Sequence, residues 1–547
     1  MSTTVDLEAH GLLSSPARPE IPGGPQTVVE VLDRPVAEHP GREALVGRYS
    51  RYTYAQLDEA ADRAAHALAG LGVGPGDRVA GSLPNHPDIV VAFLGVMRLG
   101  AIWLGVPKPL APPEKAYLLR DGGASVLIAE PAAAAELEPL RGELPSLRHV
   151  VRAEPAGSEG ARPGEPGADW AALLASAATG RPDVPVDPFA PAAIAYTSGT
   201  TGFPKGAVHS QHNLVLPGAV ARTRGNWSSA GVQGVALPLT ILNLIVLTPL
   251  VCFQAGATCV TMDRVDALGM ADWIRRERIE TFGAVPAMIY DLLTHPEVRD
   301  EDLASLTRPG VGAADCPQAF RDLYRERFGT EVTFGYGLTE APTAVTNTDP
   351  DGPQVPGSSG TALPQVRMLV VDEDDRELPP GEVGEICVAP AEQGPWAGVY
   401  TTMLGYWNKP EATAKALRDG FLHTGDLGYL DERGHLFVKD RRNDLIVRGG
   451  ANVYPAEVER VLHDDGRVAA CAVVGRPDER LGERVVAFVQ LAPGVTASAE
   501  ELATHCAANL ARYKVPEELV FVDELPRNAM GKVRKTVLRD RLAATGS

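Results

Sequence analysis

Residues 196–210 read YTSGTTGFPKGAVHS. They follow PFAPAAIA, an apolar run punctuated by proline, so the pattern is a strand emptying into a loop of glycines and hydroxyls that closes on one lysine, Lys205. Successive backbone N–H groups in such a loop form a concavity for anions. The hydroxyls add donors and the lysine adds a point charge, which makes polyphosphate the natural guest. A Walker A loop is excluded, because that motif needs Gly-Lys-Ser/Thr running into a helix, whereas Lys205 stands between Pro204 and Gly206. Composition alone would also allow a surface turn rich in small residues.

The bulk of the chain narrows the choice. With 547 residues and 44% hydrophobic content, the chain exceeds what one hydrophobic core supports, and two or more domains are expected. Lys and Arg total 51 against 70 Asp and Glu, a formal charge of -19, which opposes nonspecific binding to nucleic acid or anionic membranes. Any phosphate must then be held by a local arrangement of donors. The six cysteines, Cys252, Cys259, Cys316, Cys387, Cys471 and Cys506, form no C-x-x-C pair and no zinc spacing, which suits a reduced, cytoplasmic protein. No secretory signal is expected from MSTTVDLEAH, and the final ATGS is no peroxisomal address. The stretch VALPLTILNLIVLTPLVCF at 235–253 has the length of a membrane span, yet Pro238, Asn243 and Pro249 interrupt it and no positive flank orients it. A buried segment lining an apolar cavity is expected instead.

Residues 1–25, rich in proline and glycine, read as a tail or surface wrap. Beyond them Thr53 and Gln56 have capping-box spacing before an apolar-periodic helix, and strands and helices then alternate through RVAGSL, HPDIVVAFLGVMRLG and AIWLGV. This alternation predicts an α/β fold in which mostly parallel sheets are covered by helices, over a large domain at 26–440. Residues 131–190, with an alanine run and AEPAGSEGARPGEPGAD, read as a flexible surface excursion. Near residue 440 the character changes. Pro455 stands at a helix start, VAACAVVG and ERVVAFVQL read as strands, and Ser498 with Glu501 opens another helix, so 441–547 is expected to be a smaller α+β domain.

Further motifs accompany the opening loop: GYGLTE at 335–340, HTGDLGYLDERGHLFVKDRRNDLIVRGGANVYPAEVE at 423–459, and PRNAMGKVRK at 526–535. In this order, and over residues 27–540, the chain resembles the adenylate-forming superfamily of acyl-CoA synthetases, peptide-synthetase adenylation domains and beetle luciferases. The resemblance implies ATP, Mg2+ and coenzyme A as co-substrates and cofactors. It implies that Thr197, Ser198, Gly199, Thr200, Thr201, Gly202 and Lys205 cradle the β and γ phosphates. Tyr336 would lie on the adenine face, with Gly312, Ala313 and Ala314 at the other edge of the ring. Thr339 would contact the α phosphate, Glu340 would hold Mg2+ as a hard oxygen ligand, and Asp426 with Arg441 would bind the ribose hydroxyls. Lys532 is the implied catalytic cation, since a carboxylate attacking an anionic phosphate needs a positive charge bridging both. In a second conformation the small domain would turn about a hinge at Asn443 and bring Gly449 and Gly450 to the pantetheine arm of CoA, where missing side chains allow close approach.

The chain departs from the family pattern at three places. Asn443 replaces the usual Lys or Asp of the hinge. Thr240, Ile241 and Leu242 stand where relatives carry a histidine or aromatic pair near the attacking carboxylate, which points to weakened adenylation and a more apolar pocket. Asp315 in VGAADCP replaces a common proline, and nothing in the sequence accounts for it. The acyl pocket is expected to include Ile241, Leu242, Asn243, Phe282 and Gly337. No Lys or Arg recurs there, so the expected substrate is a bulky apolar monocarboxylic acid. The leading reading is an AMP-forming acyl-CoA ligase. A thioesterification-only enzyme fed with preformed acyl adenylate and a freestanding enzyme loading a carrier protein stay open, as do a non-catalytic nucleotide binder and a P-loop kinase, which would release ADP. No nucleic acid partner is expected.

Overall fold

Strand–helix alternation builds two large sheets. In the first, six strands lie in the order Gly310–Val311, Thr281–Ala284, Val232–Val235, Thr258–Thr261, Glu43–Val46 and Arg51–Thr53; only the last pair is antiparallel. In the second, eight strands lie in the order Gly405–Tyr406, Lys205–Ser210, Pro191–Thr197, Ile102–Gly105, Arg78–Ser82, Val126–Ala129, His149–Arg152 and Ala168–Asp169. The first two ladders there are antiparallel and the rest parallel. The computed structural model describes residues 5–14, 17–154, 168–197, 203–223, 231–311, 318–333, 335–342, 344–349, 352, 355–441, 445–492, 494–526 and 533–545.

A third sheet, Val366–Val371, Gly384–Pro390, Phe421–Leu430, Leu417–Arg418 and Leu436–Arg441, is antiparallel throughout. Its chemistry is that of tight turns. Between Leu430 and Leu436, Asp431 Oδ1 accepts from the backbone N–H of Arg433 and His435, a local closure that only an antiparallel neighbour can use. The smaller C-terminal domain is α+β. Its strands Ala451–Val453, Ile446–Arg448, Gly482–Leu491 and Val468–Asp478 lie side by side, with Glu518–Phe521 also on the Gly482–Leu491 strand. Helices Pro455–His463, Ala499–Asn509 and Lys535–Thr545 accompany them. The third sheet ends at Arg441 and the C-terminal sheet begins at Ile446, while Asn443 lies outside the described residues.

Of the two readings of the N-terminal segment, its described part fits a wrap: His10 stacks on Trp407 at 3.9 Å between ring centroids, and Leu12 and Ile21 are buried. One organisational expectation needs correction, since 131–190 is not a featureless excursion. It holds the helix Pro131–Leu137, the sheet strands His149–Arg152 and Ala168–Asp169, and the helix Trp170–Ser176, whose Trp170 is buried in the main core. Alanine is the best helix former, and one buried indole anchors the return. The apolar stretch at 235–253 is broken into the helix Leu242–Ile245, a π-helical turn Val246–Leu250 and the helix Val251–Ala255. Pro249 sits inside the wider turn, where its missing N–H removes one rung. No helix among the described residues is long and apolar enough to cross a membrane.

The helix Pro87–Arg98 runs through the interior and sets the height of the site. Just before it, Asn85 donates to the Val235 and Leu237 carbonyls and accepts from Leu239 N–H. At its far end Arg98 is buried and ion-paired to Asp62 and Asp58. Burial pushes the Asp62 carboxyl above its ordinary value, with Arg98 pulling the other way. Arg98→Met leaves Asp62 without its counter-charge in the interior. The expected cost is about 3–5 kcal/mol, read as a lower urea midpoint at unchanged slope; a midpoint equal to that of the parent protein would contradict it.

Candidate active site

The two strands flanking the phosphate-loop motif are antiparallel neighbours, with Thr197 directly opposite Lys205. Both ends of the loop are therefore held at one rung of the second sheet. Ser198, Gly199, Thr200, Thr201 and Gly202 lie outside the described residues. Burial lowers the pKa of Lys205, while the nearby Glu340 raises it. Its ammonium lies 4.3 Å from the centroid of the Tyr406 ring.

Thr339 and Glu340 form the centre of a two-residue turn closed by a bridge between Leu338 and Ala341. The turn is held on two sides. His209 Nε2–H donates to the Thr339 carbonyl at 2.7 Å, and the Tyr406 hydroxyl donates to Glu340 Oε1 at 2.7 Å. Thr197 Oγ1 reaches the same Oε1 at 3.4 Å. Thr197, Lys205, Thr339 and Glu340, named from separate motifs, thus meet in one place. Glu340 Oε2 accepts no hydrogen bond among the described residues, so a hard oxygen donor remains for a divalent cation.

Beside this cluster the Tyr336 hydroxyl donates to Asp426 Oδ2 at 2.7 Å. Tyr336 is buried within the main core, and its N–H donates to Thr346 Oγ1. Asp426 pairs across the third sheet with Arg441, so these two expected ribose contacts share one rung by backbone position. Gly312, Ala313 and Ala314 lie outside the described residues.

The expected acyl wall is brought together only in part. Ile241 is 44% exposed, Leu242 is buried and Asn243 is half-buried. The loop that carries them packs on Gly105, where a Cβ would fall 1.9 Å from the Thr240 carbonyl oxygen; only glycine fits there. Phe282 does not line an opening. It is 1% exposed and packs in the core with Ile279, Met262 and Trp273. Side chains alternate along a strand, so its neighbour Gly283 faces the other way, and a Cβ there would meet open space. Gly337 is exposed.

Among the described residues the C-terminal domain touches the large one at several points. Gly450, at φ +82°, is set against Val285, and a Cβ on it would fall 2.1 Å from Val285 Cγ1. On the helix Pro112–Asp121, Glu114 accepts from Ala511 N–H at 2.7 Å and from Lys514 Nζ at 2.8 Å, and Lys514 also pairs with Glu457 at 2.9 Å. Burial opposes charge on Lys514, yet two carboxylates around one ammonium hold its pKa above the ordinary lysine value. Burial raises the Glu457 carboxyl in spite of Lys514. One turn along the same helix, Tyr117 donates to the Pro204 carbonyl and packs on Phe203, whose ring also carries Arg460 of the C-terminal domain at 4.5 Å. Lys532 lies outside the described residues.

His209, Tyr406, Asn85 and the Glu114–Lys514–Glu457 group escape a sequence reading. Only His209 leaves a local signal, since Lys205, Ala207 and His209 share one strand face by alternation. A separate group, Asp375, Glu385 and His423, has metal-ligand spacing. Arg418 is ion-paired to Asp375 at 2.8 Å and lies 3.6 Å from Glu385, so the group already contains its own cation.

Sequence profiles agree with this arrangement. Residues 32–407 match the family described as AMP-binding enzyme, and residues 457–532 match the AMP-binding enzyme C-terminal domain. The chain is 36% identical to a fatty acid–[acyl-carrier-protein] ligase of Streptomyces coeruleorubidus, over 94% of this chain and 96% of that one. It is also 36% identical to an indoleacetate–CoA ligase of Aromatoleum aromaticum, over 94% and 98%. Among solved structures it resembles an amide bond synthetase from Marinactinospora thermotolerans, with a TM-score of 0.81 and 30% identity over 93% of this chain and 99% of that one.

Burial lowers the pKa of His209 from 6.5 to about 4, with the Thr339 carbonyl acting in the opposite direction. The unfolded chain therefore binds a proton that the folded one rejects. This contribution is fully present above pH 6.5 and is lost as pH falls toward 4, by about 3 kcal/mol. His209→Gln should flatten the slope of urea stability against pH across that window. Parallel slopes for the two proteins would place the acid sensitivity elsewhere.

Proposed function

The chain belongs to the AMP-binding enzymes and is an AMP-forming acyl-CoA ligase, and from that premise we infer that it activates a bulky, apolar monocarboxylic acid through an acyl adenylate. The observation that carries the chemistry is the meeting of Thr197, Lys205, Thr339 and Glu340 at one point beside the Tyr336–Asp426 pair. A carboxylate oxygen attacks the α phosphorus of ATP, the bond to the bridging oxygen breaks, and pyrophosphate leaves. The thiol sulfur then attacks the acyl carbon, and AMP leaves with the electron pair of the C–O bond.

This chain's residues divide that work. Lys205 and the loop donors hold the β and γ phosphates, Thr339 orients the α phosphate, and Asp426 with Arg441 fixes the ribose. Glu340 would hold Mg2+, which supplies charge neutralisation at the phosphate oxygens when bound. Lys532 bridges the attacking carboxylate and the α phosphate. The apolar character of the substrate is supported by Leu242, by the open space at Gly283, and by the lack of Lys or Arg at 239–246. Coenzyme A is the acceptor we favour, because Gly450 is set against Val285 next to that wall. A carrier protein is the second reading of the acceptor, favoured by the carrier-protein ligase among the relatives.

Pyrophosphate release from MgATP across a panel of apolar acids, with no thiol present, tests adenylation; AMP as product separates it from ADP-forming chemistry. Comparing CoA with a carrier protein then decides the acceptor. Two substitutions should split the reaction in opposite senses. Lys532→Ala is expected to lower acid-dependent pyrophosphate release by about 100-fold or more, while thioester formation from synthetic acyl adenylate continues. Gly450→Val should do the reverse, since its side chain would overlap Val285 and keep the thiol arm out. Equal loss in both half-reactions for either variant would remove the division of labour.

A further inference from the structure

Tyr406 is named by none of the motifs, yet it touches both charged groups of the phosphate cluster. Its hydroxyl donates to Glu340 Oε1 at 2.7 Å, and its ring face lies 4.3 Å from the Lys205 ammonium. It is 6% exposed, and its own position is fixed from three sides. Its strand Gly405–Tyr406 pairs with the exit strand of the loop, placing Tyr406 opposite Ala207. Its N–H donates to Thr413 Oγ1 at 2.9 Å, and the next residue, Trp407, donates its N–H to the Gly206 carbonyl at 2.8 Å. The phenol hydroxyl is thus held as an O–H donor to the carboxylate.

We propose that Tyr406 is a positioning residue that sets Glu340 and Lys205 relative to each other, so that the carboxylate meant for the cation and the ammonium meant for the phosphates address one nucleotide. The warrant is geometric. A carboxylate that must bind a cation needs one oxygen turned to it and the other held still. Tyr406 and Thr197 occupy Oε1 and leave Oε2 available among the described residues. Outer hydrogen bonds of this kind orient metal-binding oxygens, and removing them commonly costs about 10–100-fold in metal affinity. A face-on ring restrains an ammonium without neutralising it, so Lys205 keeps its full charge for phosphate. This inference rests on the assignment of Glu340 to the cation made above.

Two variants separate the two functions of the side chain. Tyr406→Phe removes the hydroxyl and keeps the ring, whereas Tyr406→Leu removes both. Manganese and ATP binding to the full-length protein, followed by the Mn2+ electron paramagnetic resonance signal and by calorimetry, reads the cation site independently of turnover. Tyr406→Phe should weaken Mn2+ binding in the presence of ATP by about 10–100-fold, with pyrophosphate binding unchanged; Tyr406→Leu should weaken both. A Glu340→Gln background should abolish the effect of Tyr406→Phe. Thioester formation from synthetic acyl adenylate, which needs neither cation nor pyrophosphate, should stay near the parent rate in Tyr406→Phe. Parent-like Mn2+ affinity in Tyr406→Phe overturns the proposal, and so does an equal loss in both half-reactions with a lowered melting temperature, which would mark the residue as structural. If the unaltered protein shows no acid-dependent pyrophosphate release, the functional reading fails instead, and the Mn2+ titration still decides the role of Tyr406.

Discussion

The position of one carboxylate governs this site. Glu340 stands at the tip of a two-residue turn, a place where an unsupported side chain would rotate freely. Support comes from elements far apart in the chain: Thr197 at the end of one strand, Tyr406 on the next but one, and His209 beneath the neighbouring Thr339 carbonyl. All three belong to adjacent strands of the eight-stranded sheet. The sheet's hydrogen-bond ladder thereby becomes the ruler for the chemistry, since a slip of one rung would turn every one of these side chains to the opposite face.

The second constraint is how the two domains meet. The helix Pro112–Asp121 presents Glu114 to the C-terminal domain, Tyr117 to the base of the phosphate loop, and Asp121 to the Tyr196 hydroxyl at 2.7 Å. Spacings of three and four residues put these side chains along one side of a helix. The docking contact is ionic and buried, with one ammonium between two carboxylates. Breaking such a contact returns solvation to every partner, so its net worth is small compared with its specificity. A contact of that kind suits a domain that must present different residues in the two half-reactions inferred above.

The energetics of the interior serve the same end. The buried helix Pro87–Arg98 is closed by Arg98 with Asp58 and Asp62 at one end, while Asn85 at the other end ties down the chain leading to Thr240. That tie, together with the absence of a side chain at Gly105, fixes the loop that carries Thr240. At Gly105 a side chain would meet the Thr240 carbonyl, and at Gly283 one would meet open space, so both positions shape this region by the side chain they lack.

What was legible in the chain was local chemistry. Glycine and hydroxyl clustering around Lys205 marked a phosphate loop, and the capping pairs and the alternation of strand and helix marked the α/β class, each from a few neighbouring residues; the roles of Thr339 and Glu340 in GYGLTE came from the motifs' resemblance to a family. Tyr406, His209, Asn85 and the Glu114–Lys514–Glu457 group were not legible, because their meaning lies in partners far off in the chain, 66 positions away for Tyr406 with Glu340 and 400 for Lys514 with Glu114. Burial misled in one case: Phe282 is apolar and was expected at the acyl wall, but the alternation of its strand sends it into the core, while a Cβ on Gly283 would meet open space. Residue type and short spacing determined which chemistry the chain carries. Only the tertiary structure decided which side chains hold it in place, since orientation across a sheet is set by register and by long-range hydrogen bonds that no local window contains.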